Sequence, residues 1–190
     1  MAFSGGPASV AAMEFPHMVI LVGVMVLVWV AFTFNSLVNR RNQVRYAFST
    51  IDVQLKKRHD LVPNLVETVK GYAAHEREVL EAVARARAEA SRGGWQAEET
   101  LSREVGRLIA RAEAYPDLKA DGQFAMLQRQ LAECEAQIAA ARRTYNASIM
   151  DYHNSVDMVP SSLVAALFGF RRMPEFEIAV SERSNPNVRF

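Results

Sequence analysis

Between positions 59 and 76 the chain gathers His59, Asp60, Glu67, Lys70, His75 and Glu76, the side-chain types that hold metals or move protons. His75-Glu76 opens like the helical zinc-protease motif, whose second histidine stands four residues after the first. Position 79 is Val and position 80 is Leu, so that motif is incomplete. Carboxylate-bridged di-iron bundles need Glu-x-x-His pairs on two helices. Three residues before His75 stands Tyr72, and three before His153 stands Met150. A metal site built from His59, His75, His153 and Asp151 therefore has no support from spacing, and a metal-dependent enzyme is a remote alternative. Interhelical salt bridges and hydrogen bonds that fix register are the simpler role for these groups.

Other chemistry fares no better. The single cysteine, Cys134, falls on an apolar seam, where a thiol is hard to ionise and hard to reach. Gly5-Gly6 and Gly93-Gly94 follow no strand pattern, so neither reads as a phosphate-binding loop. Lys56-Lys57-Arg58 is too short a basic run for nucleic acid, and the formal net charge is only +1. The expectation is a chain without catalysis, cofactor, metal, small-molecule substrate or nucleic-acid partner.

The elements that would position these residues are helices. From Met18 to Phe34 the chain reads MVILVGVMVLVWVAFTF, with no charged side chain and no polar face. With the softer stretch to Val38 it would cover about 30 Å as a helix, enough to cross a bilayer core. A cleaved signal peptide would carry a basic start and a small-residue cleavage site. Residues 1–17 contain no Lys or Arg, and Thr33-Phe34-Asn35-Ser36-Leu37 is a poor cleavage site. Only Glu14 is charged before the segment, whereas Arg40, Arg41 and Arg45 follow it closely, then Lys56, Lys57 and Arg58. Positive flanks stay cytoplasmic, so the N-terminus is expected outside and the bulk of the chain inside. A lone cysteine suits a reducing compartment. Arg40, Arg41 and Arg45 would either also meet anionic headgroups or serve only to set this topology.

Beyond the membrane, apolar residues recur at three- and four-residue steps. Val44, Phe48, Ile51 and Leu55 continue the spanning helix to about Asp60. Pro63 suits the first turn of a new helix, with Asp60 as its cap. Leu65, Val69, Tyr72, Val79, Val83 and Ala86 carry that helix to Arg92, where Gly93-Gly94 stops it. A third helix holds Leu101, Val105, Leu108 and Ala112. In the fourth, Phe124, Leu127, Leu131, Cys134, Ile138, Ala141 and Tyr145 alternate strictly, and Ile149, Tyr152, Val156 and Val159 follow after one four-residue step like a stutter. Ser161-Ser162 can cap a short piece in which Leu163, Val164, Leu167, Phe168 and Phe170 make an apolar patch edged by Arg171 and Arg172. That patch could lie on the bilayer or pack onto the bundle, and packing is expected because short helices bind membranes poorly alone.

The reading is all-α: an N-terminal transmembrane helix continuing into a long antiparallel helical bundle with coiled-coil-like packing. Its divisions are a short extracytoplasmic segment at 1–17, a transmembrane helix at 18–38, a cytosolic bundle at 39–170 and a C-terminal tail at 171–190. Within the bundle, helices are expected at about 39–60, 63–92, 96–115, 122–159 and 161–168.

The run NQVRYAFSTIDVQLKKR at 42–58, followed by HDLVPNLVETVKGYAAHE at 59–76, closely resembles the LemA family of bacterial membrane proteins. So do AYPDLKAD at 114–121, ARRTYN at 141–146, PSSLVAALFGF at 160–170 and the closing Pro186 to Phe190. The similarity covers roughly residues 18–190. It implies an N-terminal spanning helix in the bacterial inner membrane, a short extracytoplasmic start and a cytosolic antiparallel helical domain. It brings no catalytic residues. The expected function is a membrane-anchored scaffold that self-associates into a homo-oligomer or recruits other membrane or cytosolic proteins; a sensor or regulatory accessory of an envelope system is the alternative. Arg58, His59, Asp60, Asn64, Glu67, Lys70 and His75 form the candidate interaction surface, because a purely structural bundle could do without their polar groups.

Overall fold

A computed structural model describes residues 7–73 and 75–174, with side chains from His17 onward. Every regular element among them is helical: α1 (Pro7–Tyr72), α2 (Arg77–Ala90), α3 (Trp95–Ala112), the short α4 (Pro116–Lys119), α5 (Gly122–Asp157) and α6 (Ser161–Leu167). The expected tail at 171–190 lies outside the described residues from position 175, and the expected segment at 1–17 lies outside them up to position 6. The chain divides into two compact units.

The first unit comprises the chain up to Tyr46 and from Asn146 onward. Its part of α1 carries the apolar run, where twelve large side chains between Met18 and Phe32 are exposed. At about 1.5–3 kcal/mol for each side chain left out of an apolar environment, and with each roughly half exposed, this amounts to on the order of 10–20 kcal/mol. Such a sum rivals the whole stability of a typical domain. The helix is long and apolar enough to cross a membrane, and none of its most apolar window is buried by protein. Past it, Leu37, Val44, Ile149, Tyr152, Val164, Ala165 and Phe170 are buried. The Tyr152 hydroxyl donates to the Arg171 carbonyl at 2.9 Å, and burial pushes its ionisation up. The expected patch at 163–170 divides: Val164, Ala165 and Phe170 pack inward, whereas Leu163, Leu167 and Phe168 face out. Val159, expected on the seam of the fourth helix, is also exposed.

The second unit, Ala47–Tyr145, holds the larger core. Val62, Leu65 and Val69 of α1, Val83 of α2, Leu101 and Leu108 of α3, and Phe124 and Leu131 of α5 are all buried in one cluster. Contacts give the directions. Moving along α1, Phe48 meets Tyr145, Gln54 meets Cys134 and Tyr72 meets Asp121, so α5 runs antiparallel to α1. Gly93 and Gly94 turn the chain between α2 and α3 with φ of 91° and 110°, a region costly for any side chain. Pro116 starts α4 at its first turn. Asp121 then caps α5, accepting from the backbone N–H of Gln123 at 2.7 Å and of Phe124 at 3.0 Å.

One expected boundary is corrected. The first helix does not end near Asp60, nor does a new one begin at Pro63: α1 continues through Pro63 to Tyr72, and the break falls at 73–76. The expected helix 63–92 is thus the end of α1 plus α2, and Asp60 is an exposed mid-helix residue rather than a cap. An interior proline strips the carbonyl four residues earlier of its N–H donor. That carbonyl belongs to His59, and the Arg87 guanidinium of α2 donates to it at 3.2 Å. A side chain from the neighbouring helix replaces the missing donor, so the helix survives its proline.

Candidate functional site

The second unit buries one cation among carboxylates. Arg58 of α1 is 1% exposed and stands in the register of Ile51, Val62, Leu65 and Val69, the face that meets the core. Opposite it, α3 presents Glu98 one helical step before Leu101. One Arg58 amino group forms an ion pair with the Glu98 Oε2 oxygen and donates to the Glu98 backbone carbonyl at 3.2 Å. The other donates to Glu135 Oε1 of α5 at 2.8 Å and to the Ser102 hydroxyl. Ser102 in turn lies 2.9 Å from the Glu135 carboxylate oxygens, to one of which its hydroxyl can donate. The second Glu98 oxygen pairs with His59 Nε2 at 3.0 Å. Three helices are therefore tied at one level by a single guanidinium. Only the Arg58 Nε lacks a partner in this cluster.

Because desolvation offsets much of the Coulomb gain, such a cluster fixes which residues face one another more than it adds stability. Within the cluster the charges of Arg58, Glu98 and Glu135 are paired with one another. Nearby, the Cys134 thiol donates to the Gln54 carbonyl at 3.1 Å. Burial first, and the Glu135 charge second, push its ionisation up, the reverse of what a nucleophilic cysteine needs.

Beside the cluster lies an open groove of about 530 Å³, whose walls include Phe48, Lys56, His59, Arg87, Trp95 and Glu98. Trp95 meets Phe48 edge-on with ring centroids 6.4 Å apart, and Arg142 lies over its ring at 5.1 Å. At the far end of the unit, Tyr115 donates to Glu76 at 3.0 Å and Tyr72 to Asp121 at 2.9 Å. The Phe124 N–H, then the Tyr72 hydroxyl, hold the Asp121 carboxyl below its usual range.

The seven candidate interaction residues separate into groups. Arg58 is interior and belongs to no surface; half-buried His59 joins it at Glu98. Asp60, Asn64 and Glu67 are exposed at steps of four and three along one face of α1, Lys70 is exposed one turn from Glu67, and His75 is exposed in the turn after the helix. Of the membrane-proximal arginines, Arg40 donates to the Asp151 carbonyl at 3.3 Å, Arg41 stacks over Phe170 at 5.2 Å and Arg45 is exposed. His153 is buried against the Met173 backbone at 3.1 Å. Among the described residues, no three His, Cys, Asp or Glu side chains are grouped to hold a metal ion. Glu98, Ser102, Glu135 and Arg87 are the partners of Arg58 and His59 that the polar run at 59–76 did not reveal. Glu98 had a visible signal: the alternation 98, 101, 105, 108, 112 puts a glutamate at a core position.

The LemA family model matches residues 47–190, about three quarters of the chain. The chain belongs to the LemA family. The match begins with the second unit and runs to the last residue. Among curated relatives, magnetosome protein MamQ 2 of Paramagnetospirillum magneticum is 25% identical over 175 residues, covering 76% of this chain and 64% of that protein. Magnetosome protein MamQ of Magnetospirillum gryphiswaldense is 24% identical over 174 residues, with coverages of 75% and 64%. Protein LemA of Metamycoplasma hominis is 23% identical over 173 residues, covering 87% of this chain and 78% of its own length. The chain thus spans somewhat under two thirds of the magnetosome relatives. Taken with the exposed apolar helix among the described residues, this membership marks a membrane protein.

Proposed function

We propose that this LemA-family protein is a non-catalytic scaffold, anchored in the bacterial inner membrane by the apolar part of α1 with its N-terminus outside and its helical units in the cytoplasm. It acts by self-associating or by recruiting other membrane or cytosolic proteins. The observation that carries this reading is the fate of the ionisable groups. Those inside the second unit neutralise one another around Arg58, and the thiol is buried and hard to ionise. What stays available is a surface: Asp60, Asn64, Glu67 and Lys70 on the outer side of α1. The positive flank at Arg40, Arg41 and Arg45 supports the orientation.

The test is a photo-cross-linking residue placed at Asn64 or Glu67 in cells that carry the full chain. A discrete covalent adduct, either a dimer of this chain or one defined protein, is the expected product. The absence of any adduct from both positions, with the protein correctly inserted, would count against recruitment through this face. A sensor or regulatory accessory is the second reading, favoured by α1 running without interruption through Pro63.

A further inference from the structure

We propose that α6 and the turn before it form a second membrane contact, lying in the headgroup boundary of the bilayer that α1 crosses. This rests on α1 being the spanning helix. Val164 and Ala165 of α6 are buried, and Phe170 just beyond it is buried too, while Leu163 and Leu167 are 67% and 77% exposed. Those two leucines are one turn apart and so share a face. Phe168 follows at 51% exposed, and Met158 and Val159 in the preceding turn reach 63% and 79%. Five large apolar side chains within eleven residues are left without cover.

Where this patch is held decides what covers it. Phe168 and Phe170 pack edge-on against Phe34, with ring centroids at 4.9 Å and 5.7 Å. Phe34 closes the strongly apolar run that begins at Met18, and it precedes Arg40 by six residues, roughly 9 Å along the helix. Interfacial helices sit about 5–10 Å into the boundary between headgroups and acyl chains, so α6 is fastened at the depth such helices occupy. A cleft of about 440 Å³ beside it is lined by apolar side chains such as Trp29 and Phe32, by as many Ser and Thr hydroxyl side chains, and by Arg40. Mixed apolar and hydroxyl walls with one cation suit the boundary where headgroups meet acyl chains. Exposed Arg171 and Arg172 follow immediately; Arg172 pairs with Asp157 at 2.9 Å, and Arg171 supplies charge that anionic headgroups attract.

A short helix alone would bind lipid weakly. Here α1 already holds α6 at the surface, and a tethered second contact needs far less intrinsic affinity than a free one. The bilayer is therefore the occupant, reached without any other partner.

The test uses the full chain with Cys134→Ala, reconstituted into phosphatidylcholine–phosphatidylglycerol vesicles, carrying one environment-sensitive dye at Leu167→Cys or at Val26→Cys. Nitroxide-bearing lipids quench at known depths. The Leu167→Cys dye is expected to emit to the blue of its value in water and to be quenched more by headgroup-proximal than by tail-end nitroxides. The Val26→Cys dye is expected to show the reverse preference. Leu163→Ser, which leaves the buried face of α6 untouched, should weaken quenching at Leu167→Cys. If the Val26→Cys dye is quenched and the Leu167→Cys dye is not, the interfacial contact is overturned and the spanning helix stands. If neither is quenched, both fall. If unlabelled Leu167→Cys protein forms a disulfide-linked dimer while the labelled form is not quenched by lipid nitroxides, the proposal is overturned in favour of a second copy.

Discussion

Removing the Glu98 carboxylate tests whether the Arg58 cluster ties the second unit together. Glu98→Ala leaves a guanidinium that is 1% exposed with only Glu135 and Ser102 as side-chain partners. Loss of one partner from a buried pair costs about 3–5 kcal/mol. Glu135 is 40% exposed along its side chain, so water shares its charge and Glu135→Ala should cost less, about 1 kcal/mol. Glu98→Gln keeps an oxygen for Arg58 and should fall between, at about 1.5–3 kcal/mol. The double replacement Arg58→Met with Glu98→Met removes both the cation and its main anion. It should therefore be less destabilising than the sum of the two single changes by at least about 2 kcal/mol. Equilibrium urea unfolding of the detergent-solubilised chain, followed by far-ultraviolet circular dichroism, measures each difference. Additive single and double effects, or a Glu135→Ala loss exceeding that of Glu98→Ala, would refute the reasoning.

Further expectations concern separate parts of the fold. Arg87→Ala should destabilise by about 1 kcal/mol by uncapping the His59 carbonyl, and in a Pro63→Ala background, where a backbone N–H returns, that penalty should vanish; the same unfolding series reads both. Leu131→Ala, at a side chain 1% exposed, should cost about 2–5 kcal/mol. Asp121 carries a carboxyl whose ionisation is lowered in the folded chain, first by the Phe124 N–H and then by Tyr72. Its contribution is full above the ordinary carboxylate range and lost as pH falls through the lowered value. The stability gap between wild type and Asp121→Ala should accordingly close on acidification, and a gap independent of pH would contradict this. With its ionisation pushed up by burial, Cys134 should resist thiol reagents at neutral pH in the folded chain and react promptly in denaturant.

Much of the fold was legible because one physical signal dominates it. The alternation from Phe124 to Tyr145 marks a buried face, and each of Phe124, Leu127, Leu131, Cys134, Ile138, Ala141 and Tyr145 is buried. The apolar run at 18–34 was equally plain, since a lipid bilayer readily covers that many outward apolar side chains. Pro63 misled because local rules price a proline by its own helix, whereas here the missing donor comes from Arg87, across a helix pair. The buried cluster was half visible. Arg58 and Glu98 both occupy core registers, yet which charge meets which depends on helix order and direction. At α6 the composition was clear and the partition was not, because deciding which apolar side chains pack inward requires Phe34 in place beside them.

The central claim, a membrane-anchored scaffold that works by assembly, is tested most directly by the mass of the full-length protein in nanodiscs, measured by light scattering with images of the same particles. A closed oligomer of defined size, or a stoichiometric complex that carries the Asn64 cross-link, is the predicted result. A strictly monomeric chain that yields no cross-linked neighbour from the membrane of its own cells would contradict it.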